Sequence, residues 1–195
     1  MIEFVLVSSF FLVPLIVGTF TYGFALIRAA QGVQLTRDVG HMYARGVDFS
    51  KQANQNLLTA SLAQGLNMTA NSGNVTGGTT GYGVVVLSTF TRIGAQCPTC
   101  NNTGHVVLMN RIVIGNKSNG FTTLYGSPNS GLINTMSGDV SNYSSDASAR
   151  ADAFTNLMAM NDGEIAYMAE SYFTAPDLAV AGVFTGLASY QNAIF

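Results

Sequence analysis

The sequence predicts an α+β chain: a long N-terminal helix packed by its C-terminal half on a small antiparallel β-sheet head. Three observations predict it. No side chain from residue 4 to residue 27 is charged at neutral pH. Past Arg28 apolar residues recur at helical spacing as far as Leu66. Beyond residue 83 come segments enriched in β-branched residues and separated by Gly-, Ser- and Asn-rich stretches. The chain therefore divides into a helix over 1–66, apolar over 4–27 and amphipathic over 28–66, and a β-rich head over 67–195.

The first run begins Phe4-Val5-Leu6-Val7 and ends Phe24-Ala25-Leu26-Ile27. At about 1.5 Å per residue it crosses a hydrocarbon layer of about 30 Å. It exceeds the apolar region of a secretory signal peptide, about 7–15 residues, and no basic segment precedes it. Pro14 removes one backbone hydrogen bond and is expected to kink or locally melt the helix. Glu3 stands at the start of the span, where a carboxylate rests at the headgroup level or pairs with a free α-amino group of its own or a neighbouring subunit. Gly18, Gly23, Ala25, Ala29 and Ala30 would permit close helix approach.

The amphipathic half carries Val33, Leu35, Val39, Met42, Tyr43 and Val47, then Ala53, Leu57, Leu58, Leu62 and Leu66. One nearly continuous helix from Ile2 to Leu66 is expected, on the order of 90–100 Å long. The head of residues 67–195 is too small to cover it. Its first half needs lipid or other copies of itself. The positive-inside rule would place Arg28, Arg37 and Arg45 in the cytoplasm together with the head. A basic leader removed during maturation resolves this conflict and makes Met1 a mature terminus.

In the head, 83–93 and 105–114 read as hairpin strands joined by 94–104. Residues 121–125 are expected as a third strand and 126–148 as irregular loop. A short helix over 151–160, a strand over 164–173, a loop over 177–185 and an edge strand over 186–195 complete the reading.

Composition narrows the function. Charged residues are 9% of the chain, against about 25% in typical globular proteins. Net charge is −2 with no Lys/Arg cluster, which argues against a nucleic-acid partner. Outside the cytoplasm Cys97 and Cys100 would join in a small disulfide ring. Cys97, Cys100 and His105 occupy three positions of a zinc knuckle, but Asn110 stands where the fourth ligand is required. Strands flank the pair, unlike a thioredoxin-type site at a helix N-terminus. His41 and His105 read as structural. No nucleophile–base set, paired-carboxylate site or phosphate loop stands out, so no enzymatic activity and no cofactor are expected. Asn67, Asn74, Asn101, Asn116 and Asn142 open Asn-x-Ser/Thr sequons. They read either as carriers of a sugar coat or as bare polar loops.

Both ends of the chain resemble the TadE-like pseudopilins of tight-adherence pilus systems. Glu3-Phe4-Val5-Leu6-Val7 is similar to the Glu-Phe-Ala-Leu-Val that opens that family's helix, and Pro14 is typical of it. Gly163-Glu164 through Tyr172-Phe173 and the ending Ser189-Tyr190-Gln191-Asn192-Ala193-Ile194-Phe195 resemble its C-terminal strands. In the family the glutamate is the fifth mature residue, whereas here it is third. The resemblance implies a pilin-like fold and a structural subunit of an extracellular type IV pilus-like filament, inserted in the inner membrane before assembly. It implies a homopolymer packed through Met1, Glu3, Phe4, Pro14, Gly18 and Gly23, with a prepilin peptidase and the pilus assembly machinery as partners. Two alternatives are a minor pseudopilin that primes or tips a filament, and a single-pass membrane-anchored adhesion domain that does not polymerise.

Overall fold

The computed structural model describes residues 2–179 and 187–195, with side chains for 7–179 and 188–195. Met1 and most of the loop expected over 177–185 lie outside the described residues.

Helix α1 spans Ile2–Ala44, 43 residues or about 64 Å. It stays helical through Pro14, where a kink or local melting was expected, so the helix does not melt there. The hydroxyls of Thr19 and Thr21 each donate to the carbonyl four residues back at 2.8 Å, so these polar groups are satisfied within the helix.

The helix does not reach Leu66. It stops at Ala44, and the physical cause is local. Gly46 takes φ +87°, a left-handed conformation that ends helices. The carboxylate of Asp48 accepts the Ser50 backbone N–H at 2.9 Å and the Ser50 hydroxyl at 2.6 Å, closing a turn. Helix α2 (Gln52–Leu57) then continues into one π-helical turn, Leu58–Leu62. A straight helix would carry residues 45–66 about 33 Å further along its axis. Bent back, Phe49, Leu58 and Leu66 join Leu35 and Val39 in one core cluster. The apolar stripe reported burial correctly at Leu35, Val39, Leu58 and Leu66, did not include Phe49, and could not report continuity. Leu57, counted in that stripe, is exposed.

The sheet has the order β1-β3-β2-β4-β5. Its strands are β1 (Thr76–Gly78), β2 (Gly83–Arg92), β3 (Val106–Asn116), β4 (Ile165–Ala175) and β5 (Leu187–Ile194). The two hairpin strands, the Glu164-led strand and the terminal edge strand stand close to where the sequence puts them. The sheet is mixed and not wholly antiparallel, because β1 pairs parallel to β3. That strand lies in a Gly/Thr-rich stretch with no strand signal. A bulge between Thr89 and Phe90 shifts the β2–β3 register.

Helix α1 covers one face of the sheet. Gly32 lies against Phe173 and Gln191, and Gly40 against Phe195, so backbone approaches sheet where a larger side chain would intervene. Loops cover the other face, and there the expected strand over 121–125 is absent. That segment crosses the sheet as a strap: Phe121 stacks on Tyr172 and Tyr190 at ring-centroid distances of 5.5 and 5.6 Å. The helix expected over 151–160 is a 3-10 turn, Asp152–Asn156, which sets Phe154 against Phe90 in a second core. The architecture is helix, sheet and loop layer, an α+β, pilin-like arrangement.

Candidate assembly and membrane surface

The N-terminal part of α1 stands free of the head. From Val7 to Ile27 the large apolar side chains are exposed, with Phe10 at 76% and Leu26 at 71%. Soluble monomers rarely show a contiguous apolar patch of this kind. The described part of the helix from Val7 has a most apolar window of mean hydropathy 2.0, only 6% of it buried, and is long enough to cross a membrane. Pro14 lies within this stretch and Gly23 on its exposed surface, while Gly18 is shielded by the side chains around it. Glu3 and Phe4 continue the helical backbone, and their side chains lie outside the described residues, as does Met1.

The free segment ends at a fixed junction. Arg28 donates through both terminal nitrogens to the Asp177 carboxylate, at 2.7 and 2.5 Å. Asp177 sits in the 3-10 turn Pro176–Leu178 that follows β4. The hydrogen bond from Arg28 is the main reason its pKa falls below the ordinary carboxylate value. Beside this pair is a cavity of about 220 Å³ lined by Leu66, Asn67, Tyr82, Phe173 and Ser189. Above it Thr36 and Ser171 share a buried hydrogen bond of 2.5 Å, and Tyr43 hydrogen-bonds Thr89 at 2.7 Å and donates to Asn110 at 3.0 Å. Burial is the first cause that pushes the Tyr43 phenol up to about 12.

A second constellation, which sequence reasoning missed, lies under the loop layer. Glu170 and Arg111 sit mid-strand in β4 and β3 with 0% and 6% exposure. Arg111 donates to the carbonyls of Tyr125 at 2.5 Å and Gly126 at 2.7 Å, and to the Ser88 hydroxyl at 3.2 Å. Glu170 accepts from the hydroxyls of Thr123 at 2.6 Å and Tyr190 at 3.0 Å. Together they clamp the strap to β3, β4 and β5. Burial raises the Glu170 pKa against the opposing effect of its two hydroxyl donors and of Arg111. Burial also lowers Arg111, to about 10, which leaves it charged at neutral pH. The one signal available was a lone charge amid each apolar strand segment. Such a charge reads equally well as solvent-facing.

Cys97 and Cys100 are disulfide-bonded with Cα atoms 5.4 Å apart. Thr103 donates its hydroxyl to both their carbonyls, at 3.1 and 2.8 Å, so the 94–104 loop is pinned on itself. His105 is directed away from them, its Nδ1 at 3.0 Å from both oxygens of Asp152. Among the described residues no cluster of three or more His, Cys, Asp or Glu side chains is placed to hold a metal. The five sequon asparagines divide by environment. Asn67, Asn101 and Asn142 are exposed, while Asn74 and Asn116 are half-buried. The Asn116 amide nitrogen already donates to the Gly81 carbonyl at 2.8 Å.

No family model, characterised protein or solved structure matches the chain.

Proposed function

We propose that the chain is a structural subunit of an extracellular type IV pilus-like filament, held in the cytoplasmic membrane before assembly. The observation that carries the reading is the half-helix that the head leaves bare and apolar on all sides. A segment of this kind is stable only in lipid or among copies of itself, and both environments belong to the life of a pilin. Its continuation is fixed rigidly to the sheet through Arg28–Asp177 and the Gly32 and Gly40 contacts, so force on the helix reaches the head without a hinge. Head-to-tail repetition of such a unit forms an open helical array. Glu3 at the helix start is assigned the charge that registers one subunit on the next, and Asn67, Asn101 and Asn142 are the positions open to a surface glycan.

The same exposed segment also suits a single-pass anchor, because lipid alone would cover it. Electron microscopy of native material separates the two readings. Filaments built from this chain are expected; detergent-solubilised single particles in every preparation would remove the filament reading and leave the anchor. In the filament reading Glu3→Ala lowers filament yield while membrane insertion persists. Unchanged yield would take Glu3 out of assembly.

A further inference from the structure

Among the described residues Arg111 is the single buried cation. The Ser88 hydroxyl and the carbonyls of Tyr125 and Gly126 take three of its five N–H donors. The other two donors find no acceptor among the described residues. No carboxylate oxygen of a described residue lies within 4.0 Å of the guanidinium. The two oxygens of Glu170 are held instead by Thr123 and Tyr190. A charge withdrawn from water in this way is costly until an opposite charge meets it.

Arg111 borders a cavity of about 240 Å³ between the sheet and the strap. The pairs Ser88–Arg111 and Val86–Val113 are successive on one face of the sheet, the face that the strap crosses. Val84, Val86 and Val113 supply the apolar floor, the first two of them fully buried. Lys117, Thr122 and Ser127 also line the cavity and are exposed, so they form its mouth. Two cations therefore border the space, and none of its described lining residues is acidic. The volume falls below the roughly 300–1,000 Å³ of pockets for drug-sized ligands, which suits a ligand of few heavy atoms.

We propose that this cavity binds a short, branched aliphatic carboxylate, with its carboxylate on the two remaining Arg111 donors and its tail on the three valines. Lys117 at the mouth draws the anion in. Each wall excludes another class of ligand. A bare inorganic anion would lose its hydration over the valines and gain no apolar contact there. A free amino acid would bring an ammonium group to two cations and no acid. A neutral isostere would leave the guanidinium charge unmet. The site lies in the head, away from the apolar half of α1, and it is independent of whether the chain polymerises.

The test uses the full chain in detergent micelles with methyl-labelled valine, followed by NMR. The probes are 3-methylbutanoate, its neutral amide, valine and inorganic sulfate. Saturable shifts of the Val84, Val86 and Val113 methyl signals are expected with 3-methylbutanoate, while Val39 and Val85, in the core under α1, stay in place. The amide and valine are expected to leave all five unmoved. Lys117→Glu, an exposed change that keeps the fold, is expected to raise the Kd for 3-methylbutanoate about tenfold. Arg111→Met is expected to abolish the shifts; because it also weakens the fold, Lys117→Glu carries the test. Shifts confined to Val13 and Val17 of the apolar half-helix would mean partition into detergent and overturn the proposal. Sulfate that moves the same valines with equal affinity would mean an adventitious ion only. Equal binding of the amide, or an unchanged Kd in Lys117→Glu, would also overturn it.

Discussion

At the scale of residues, the buried pair Arg111 and Glu170 does most to fix how the strap lies on the sheet. Glu170 titrates above its ordinary value because burial disfavours the carboxylate. The sign of its contribution follows from linkage. Below the ordinary value of 4.5 the acid is protonated whether folded or unfolded, and the native state keeps this contribution in full. As pH rises through the elevated native value the side chain must ionise while buried, and the contribution is lost. Glu170→Gln retains an acceptor for Thr123 and Tyr190 and cannot ionise. Its melting temperature is expected to gain on that of the wild type as pH rises from 4.5 to neutrality, as read by circular dichroism. Arg111→Met acts in the opposite direction, because it leaves Glu170 without its nearest cation and frees the carbonyls of Tyr125 and Gly126. A buried carbonyl left without its donor costs about 1–3 kcal/mol, and urea denaturation at neutral pH is expected to show a loss of at least that size. The sequence displayed both charges, yet their inward direction follows only from the loop layer that covers their face.

At the scale of elements, the decisive feature is the turn that ends α1. The sequence carries a continuous apolar stripe to Leu66, and the structure buries Leu35, Val39, Leu58 and Leu66 as that stripe predicts, together with Phe49, which lies outside it. It does so with two helices and a reversal. Periodicity records which residues face a core; it is blind to a change of axis when the second helix faces the same core. The available signal was Gly46 followed by Asp48-Phe49-Ser50, a left-handed stop and an Asx turn. Gly46→Ala places a Cβ on a left-handed residue, and a loss of about 1–2 kcal/mol in thermal or urea unfolding is expected. Strands β2 to β5 were legible because β-branched runs and alternation are local. Strand β1 and the strap over 121–125 were not. A three-residue strand of Thr and Gly has no pattern of its own, and an apolar Phe-Thr-Thr-Leu-Tyr run looks the same whether it joins a sheet or lies across one.

At the scale of the whole molecule, two halves with opposite solvent requirements share one helix. The first half of α1 requires an apolar surround, and the second buries one face on the head and leaves Arg37, Asp38 and His41 in solvent. A chain beginning at Arg28 keeps the core residues Leu35, Val39 and Phe49 and the junction with Asp177. It is expected to stay in the supernatant on ultracentrifugation without detergent, whereas the full chain pellets. A pelleting head would mean that residues before Arg28 also hold the fold together. The sequence by itself determined the apolar span, the helix-then-strands order and the paired cysteines, because each depends on composition or spacing within one short stretch. Only the tertiary structure decided where the long helix stops, that β1 makes the sheet mixed, and that two charges close under a strap. It also decided that β5 ends the sheet with an open edge. Those features depend on which distant segments meet, and the free energy that selects them is that of burying both partners together.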